Sequence, residues 1–296
     1  MRKLLFVSVV ITLALSAHAQ FAFREVGGAG LELTESGKPV YVYNYGGILK
    51  PGFPDTMRRC CYLHPVYLPD GTLITDDFNP DHAHHRGISW MWPVVIVDGQ
   101  TYDVWTVQGM KQKFVRWTAR KAGADSALLA VENGWFIGDR QVMKENVEIR
   151  AGRAGDGKRI LDFVLRFEPT AEPVEIAGTP DQNKGFGGFC FRFAPRDGGQ
   201  KGTVIRTEQG VAAKDGVNEP HPWAQVDGTF QGKPGGGRID DDPSNPGYPN
   251  NGWLLRYGFG FLNVSYPGLK HITLTRGQPL ALKYRVTLFS GSQQTH

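Results

Sequence analysis

The sequence predicts an all-β protein: a large antiparallel β-sandwich with very little helix. Three observations predict it. Apolar residues alternate with period two along most of the chain, as strands with one buried face require. These runs end at Gly, Pro, Asp or Asn, and the 38 Gly and 19 Pro are scattered among them as turn punctuation. No stretch of roughly 12 residues joins helical periodicity to good helix formers. A chain of 296 residues can hold one large layered domain, and no linker divides it.

At the N-terminus, Arg2 and Lys3 precede an apolar run from Leu4 to Ser16, then Ala17-His18-Ala19. A charged start, an apolar centre and small residues at a cleavage point read as a signal peptide over 1–19, leaving 20–296 as one β-sandwich domain. The apolar run is about 13 residues, short of the ~20 that a membrane span needs. The expectation is export to a periplasm or the extracellular space, with no membrane span.

Strands follow in order. Residues 31–45 turn at Gly37-Lys38-Pro39, and residues 86–106 carry the hairpin signal Asp98-Gly99. Further alternating runs cover 126–138, 140–152, 159–169, 173–178, 188–195 and 202–207, then 256–268, 271–277 and 281–291. That makes about 14 short strands. Residues 46–85 and 228–252 break the rhythm and read as long irregular passages, which are often functional or mobile. In the second, Asp240-Asp241-Asp242 is either a solvated acidic turn or a weak cation site; it lacks the spaced ligands of a calcium loop.

Apolar residues at 41% and charged residues at 21% exclude disorder, collagen and coiled coil. Net charge is +4, and removing Arg2 and Lys3 leaves about +2, too little to imply nucleic acid. The cysteines are Cys60, Cys61 and Cys190. An odd number in an exported chain leaves at least one thiol unpaired. In an extended segment Cys60 and Cys61 point to opposite faces, so one could reach Cys190; buried free thiols are the alternative.

Chemistry concentrates around four histidines: His64, His82, His84 and His85. If 82–86 is extended, His82, His84 and Arg86 share a face. Such a pair of imidazoles can hold a divalent metal, with His64, Asp77, Asp81 or His221 as third ligand. Alternatively the site is metal-free: His moves a proton and Arg86 holds a carboxylate or a hydroxyl-rich ligand. A third reading is a polar loop tied by His–Asp hydrogen bonds. Trp90, Trp92, Tyr102 and Trp105 follow at once, and rings beside His, Arg and Asp suit a sugar, though each Trp also suits the core. Glu145 lies on an otherwise apolar strand face with Met143, Val147 and Ile149, so it must be paired, for example with Arg192, or functional as a base. Lys184, before Gly185-Phe186-Gly187-Gly188, and the corner His221-Pro222-Trp223 are weaker binding candidates.

The runs His64-Pro65 through Asp70-Gly71, Thr75 through Phe78, and Asp81-His82-Ala83-His84-His85-Arg86-Gly87-Ile88-Ser89-Trp90 resemble a bacterial domain-of-unknown-function family labelled "methane oxygenase PmoA". Glu145, Lys184 through Gly188, Trp223, Asn245-Pro246-Gly247 and Trp253 through Gly258 extend the resemblance over nearly the whole mature chain. A membrane monooxygenase subunit needs several spans of ~20 apolar residues, which the chain lacks after its leader. The family is similar instead to β-sandwich sugar-processing proteins of the galactose-mutarotase type, which implies that fold and a carbohydrate context. Asp242 and Tyr248 stand where members often have His.

These readings combine into an expectation: an exported carbohydrate-processing protein doing acid/base chemistry (epimerase, hydrolase or lyase) on a sugar or keto-sugar derivative. His85 or His84 is the acid, Glu145 the base, and Arg86 stabilises developing charge. Trp90 and Trp92 pack the ring, and His64, Asp77, Lys184, His221 and Trp223 bind substrate. A carbohydrate-binding module without chemistry and a metalloenzyme built on His82 and His84 are the alternatives.

Overall fold

The computed structural model describes residues 21–249 and 251–292; the expected signal peptide lies outside the described residues. The fold is all-β. Two nine-stranded antiparallel sheets form its body. The first runs Phe21–Val26, Gly30–Glu35, Lys38–Asn44, Tyr62–Val66, Ile88–Met91, Gly188–Arg192, Phe261–Ser265, Gly252–Arg256, Gly216–Pro220. The second runs Gly210–Val211, Thr203–Thr207, Trp223–Phe230, Lys233–Asp241, Leu280–Ser290, Lys158–Pro169, Arg140–Gly152, Ser126–Ile137, Lys111–Ala122. A four-stranded sheet (Ile272–Leu274, Val174–Ala177, Val94–Val97, Gln100–Tyr102) completes the molecule.

The two large sheets meet through aromatic side chains, as alternation predicts. From the first sheet, Phe189 lies 5.1 Å from Phe163 and 4.4 Å from Tyr284 of the second, centroid to centroid. Trp92 meets Phe167 at 5.0 Å and Trp135 at 5.6 Å. Each buried aromatic removes on the order of 150–250 Å² from water, so this layer dominates the burial energy.

Two expectations change. Residues 228–252 are not one irregular passage: Trp223–Phe230 and Lys233–Asp241 form a hairpin whose register closes at Phe230–Lys233. Gln231 and Gly232 both have positive φ (54° and 80°), the conformation that a two-residue turn between twisted strands needs. The run Gly235-Gly236-Gly237 carries no side chains, so no alternation was visible. Its reason is packing: a Cβ on Gly237 would stand 2.7 Å from the Phe191 ring. The acidic residues at its end have local partners. Arg238 pairs with Asp240, Asn245 and Asn251 donate to Asp241, and Ser244 donates to Asp242.

The second change is added strands: Tyr62–Val66 lies inside the passage 46–85 read as irregular, and Lys111–Ala122 lies at the edge of the second sheet. The edge strand's sequence KQKFVRWTARKA lacks a clean apolar face because it has one neighbour and faces water, and its Lys and Arg discourage pairing with another chain.

Candidate functional site

The outer face of the first sheet is polar at its centre. Register places Ser89, Cys190 and Asn263 side by side on three strands, and Arg192 beside Phe261. The segment 76–86 folds over this face. The extended condition considered for 82–86 does not hold, and the segment is a turn: the His82 amide donates to the Asn79 carbonyl at 3.1 Å and the His85 amide to the His82 carbonyl at 2.9 Å. His82, His84 and Arg86 therefore do not share a strand face.

Buried charge holds the turn. Arg59 donates to the carbonyls of Ala83 (2.6 Å) and His85 (3.0 Å) and pairs with Asp77 at 2.5 Å. Tyr62 donates to the other Asp77 oxygen at 2.8 Å. Asp77 is thus an anchor with both oxygens engaged, rather than a substrate ligand. Gly87 ends the motif for a steric reason: at φ 22° a Cβ would stand 1.9 Å from the Leu63 carbonyl oxygen.

The turn gathers three imidazoles. His82 stacks on His85 (centroids 4.8 Å), and His84 meets His85 edge-on at 4.6 Å and His82 at 5.8 Å. Phe261 stacks under His85 at 4.3 Å, Phe259 packs on His82 at 4.2 Å, and Trp105 closes the side toward His84 at 6.4 Å. Arg192 grips Asp81 with one amino group at 2.9 and 3.0 Å from the two oxygens, and its other faces His85 Nδ1 at 3.4 Å. A guanidinium only donates, so Nδ1 accepts and His85 carries its proton on Nε2. A cleft of about 130 Å³ adjoins the turn, lined by Asp76, Asn79, Asp81, Arg192, Arg196 and Phe259.

Electrostatics keep the inner imidazoles neutral. Burial, then the charges of His82, Arg86, Arg59 and Arg192, lower the His84 pKa to about 4. Burial and its neighbours His84 and Arg192 push His85 well below the usual histidine range. For Asp81 burial opposes ionisation, but the Arg192 hydrogen bond and charge prevail and hold it below the ordinary value.

Other expected residues lie elsewhere. Glu145 is fully buried between the sheets, with no contact to the turn. Its oxygens accept from Trp90 Nε1 and Asn133 (both 2.8 Å), and from Trp135 Nε1 (2.7 Å) and Gln112 (2.9 Å). Four donors satisfy it, so the expected arginine partner is absent and its acceptor positions are used. Trp90 and Trp92 are core residues at 0% exposure and offer no ring to a ligand. Arg86 is also buried and donates to the carbonyls of Val104 (3.2 Å) and Trp105 (2.8 Å). His64 borders Gly87, with Nδ1 3.0 Å from the Thr75 hydroxyl, and burial lowers its pKa. Lys184 pairs with Asp181 at 3.1 Å; Phe186, two residues on, reaches the site through a tilted contact with Trp105 at 4.8 Å. His221 pairs with Glu208 at 3.1 Å in a separate cavity, and Trp223 lies under Arg238 on the second sheet.

Sequence reasoning missed Arg192 as a site residue, along with Phe259 and Phe261. The available signal was a lone Arg in the apolar strand Phe189-Cys190-Phe191-Arg192-Phe193. A larger cavity, about 690 Å³, is on the outer face of the second sheet. Its charges pair with one another (Arg285 with Asp162 at 2.7 Å, Arg238 with Asp240), so we place the site at the turn, where imidazoles converge. Among the described residues no group of three or more His, Cys, Asp or Glu is arranged to hold a metal ion.

Compared with known proteins, the chain matches no curated sequence. Solved structures give distant similarity. A heparan sulfate lyase HepC mutant from Pedobacter heparinus has a TM-score of 0.40 and 9% identity, covering 95% of this chain and 37% of that one. A GH36 alpha-galactosidase, AgaA, from Geobacillus stearothermophilus has 0.38 and 12%, covering 93% and 41%. A GalM/aldose epimerase homologue from C. elegans has 0.34 and 7%, covering 93% and 100%. The chain thus spans well under half the length of the first two. Residues 30–296 match the model of a family of unknown function (DUF6807), and the chain belongs to that family.

Proposed function

We propose that this protein is an enzyme that moves a proton on a sugar or sugar-derived small molecule at the turn 81–85. One observation carries the reading: three imidazoles gather at one turn beside Arg192, which with Asp81 and Phe259 lines the adjoining cleft, and His84 is a neutral base over the whole physiological range. His84 keeps partial access to solvent and takes the proton. His82, on the same turn and also partly exposed, returns a proton to the opposite side of the reacting carbon or to a leaving oxygen. Arg192, buried and paired with Asp81 at the cleft wall, supplies the positive charge that attracts an oxygen-rich or anionic group of the substrate. His85 is a positioning residue: His82 stacks on its ring and His84 meets it edge-on. Phe259 supplies the apolar surface on which a sugar C–H face rests. Glu145 has no part in this chemistry.

The test is an NMR time course of the protein with aldoses, glycosides and their keto derivatives, beside His84→Ala and Arg192→Met variants. Product formation lost in His84→Ala, with substrate binding weakened in Arg192→Met, is the expected result. Line broadening without product would make the protein a binding module, and turnover unchanged in His84→Ala would remove the base assigned here.

A further inference from the structure

We propose that Cys60 and Cys61 form a vicinal dithiol that closes reversibly into a disulfide between adjacent residues and, when reduced, chelates soft thiophilic ligands such as trivalent arsenicals. The inference stands on geometry independent of the histidine turn. In an extended chain adjacent side chains diverge. Here Cys61 has φ 65°, a left-handed conformation that a non-glycine residue adopts at a cost. Its amide donates to the Asn44 carbonyl at 2.6 Å, which holds that conformation. Both sulfurs therefore turn to one side, and they stand 3.1 Å apart.

The surroundings give the pair unequal roles and a route in. Cys60 borders a cavity of about 290 Å³, lined also by Tyr45, Arg58, Arg59, Lys111, Lys113 and Phe114. These cations favour a thiolate and an approaching anionic disulfide. The hydrogen bond from Cys61 draws the Cys60 thiol below its ordinary pKa, whereas burial holds Cys61 well above. Cys60 is the attacking sulfur and Cys61 the resolving one. Cys190 has other partners. It lies 3.2 Å from the Ser89 hydroxyl, and burial pushes its thiol up to about 12.

The chemistry is thiol–disulfide exchange with a small-molecule disulfide such as oxidised glutathione. The Cys60 thiolate attacks one sulfur of the oxidant, forming a mixed disulfide and expelling a thiolate. Cys61 then attacks Cys60 Sγ and expels the second thiolate. Two cysteine thiols are oxidised by two electrons, one external disulfide is reduced, and the two cysteine protons pass to the departing thiolates.

The test uses the full chain, equilibrated without oxygen in glutathione buffers of graded ratio, trapped with N-ethylmaleimide under denaturing conditions and digested with trypsin. Cleavage after Arg59 and Arg86 puts both cysteines in one peptide and Cys190 in another, 185–192. The expected result is a 60–86 peptide that becomes unlabelled and two hydrogens lighter as the buffer grows oxidising, while Cys190 stays labelled. One equivalent of phenylarsine oxide should block both labels on the reduced peptide. This binding should be lost in Cys60→Ser and Cys61→Ala and kept in Cys190→Ser. Two labels on the 60–86 peptide at every ratio, a stable glutathione adduct, or a link to Cys190 would overturn the proposal. The wild-type digest decides this even if a cysteine variant does not fold.

Discussion

Replacing Glu145 by Gln separates a structural carboxylate from a catalytic one. Four donors converge on its two oxygens, two on each, at 2.7–2.9 Å. The amide keeps one oxygen and turns the other into an NH2 group that faces two donors. Gln112 can rotate its amide to accept, but the Trp135 indole cannot. On the other side Asn133 is tied to the Tyr43 hydroxyl at 2.8 Å, so flipping the new amide gains nothing. At least one fully buried donor is orphaned and a charge-assisted bond is lost, together about 2–4 kcal/mol. Against a total of about 5–15 kcal/mol this is a large fall. Urea unfolding followed by tryptophan fluorescence should show a clearly lower midpoint with an unchanged slope.

The pH dependence supplies a second readout. Burial raises the Glu145 pKa above its ordinary 4.5 against the pull of its donors. A raised folded-state pKa means that the native state binds the extra proton. Its contribution is fully present below 4.5 and declines as pH rises through the raised value. The wild type should show this decline and Glu145→Gln should lack it, while the acid–base chemistry of folded Glu145→Gln persists. A variant as stable as wild type but without turnover would refute the reasoning and make Glu145 the base.

Four other outcomes follow. The acid limb of kcat/KM should fall near pH 4, because His84 accepts a proton only when neutral; His84→Asn should abolish turnover, and a limb near 6.5 would contradict the neutral buried imidazole. Removing one partner of the Arg59–Asp77 pair, both side chains 1% exposed, leaves an uncompensated buried charge: Asp77→Leu should cost about 3–5 kcal/mol by chemical unfolding and change the histidine ring resonances. Gly87→Ala puts a methyl group against the Leu63 carbonyl and should destabilise by more than about 2 kcal/mol, which a thermal melt would detect. Turnover should survive dialysis against EDTA; loss restored by one divalent metal would make His82 and His84 ligands.

Much of the fold was legible because alternation survives wherever one strand face is buried. It failed at Lys111–Ala122, an edge strand without a fully buried face, and at Gly235–Gly237, where the absence of side chains is itself the packing device. The site was half legible. The density of His and Asp at 77–85 located the loop, whereas the tight approach of Gly87 to the Leu63 carbonyl was not read from the sequence. Exposure was illegible: Trp90 and Trp92 looked like a sugar platform and are core, because a strand pattern does not say which of its faces meets the other sheet.

The sequence alone therefore determined the all-β class and the location of the histidine-rich segment, since both depend on neighbours close along the chain. Only the tertiary structure decided the company those histidines keep. Arg192 and Phe261 reach His85 across more than a hundred residues, while Glu145, expected beside them, turns into the core and is consumed by four donors. The physical reason is that strand pairing sets which side chains meet, and the pairing energy comes from residues remote in sequence that no local pattern records.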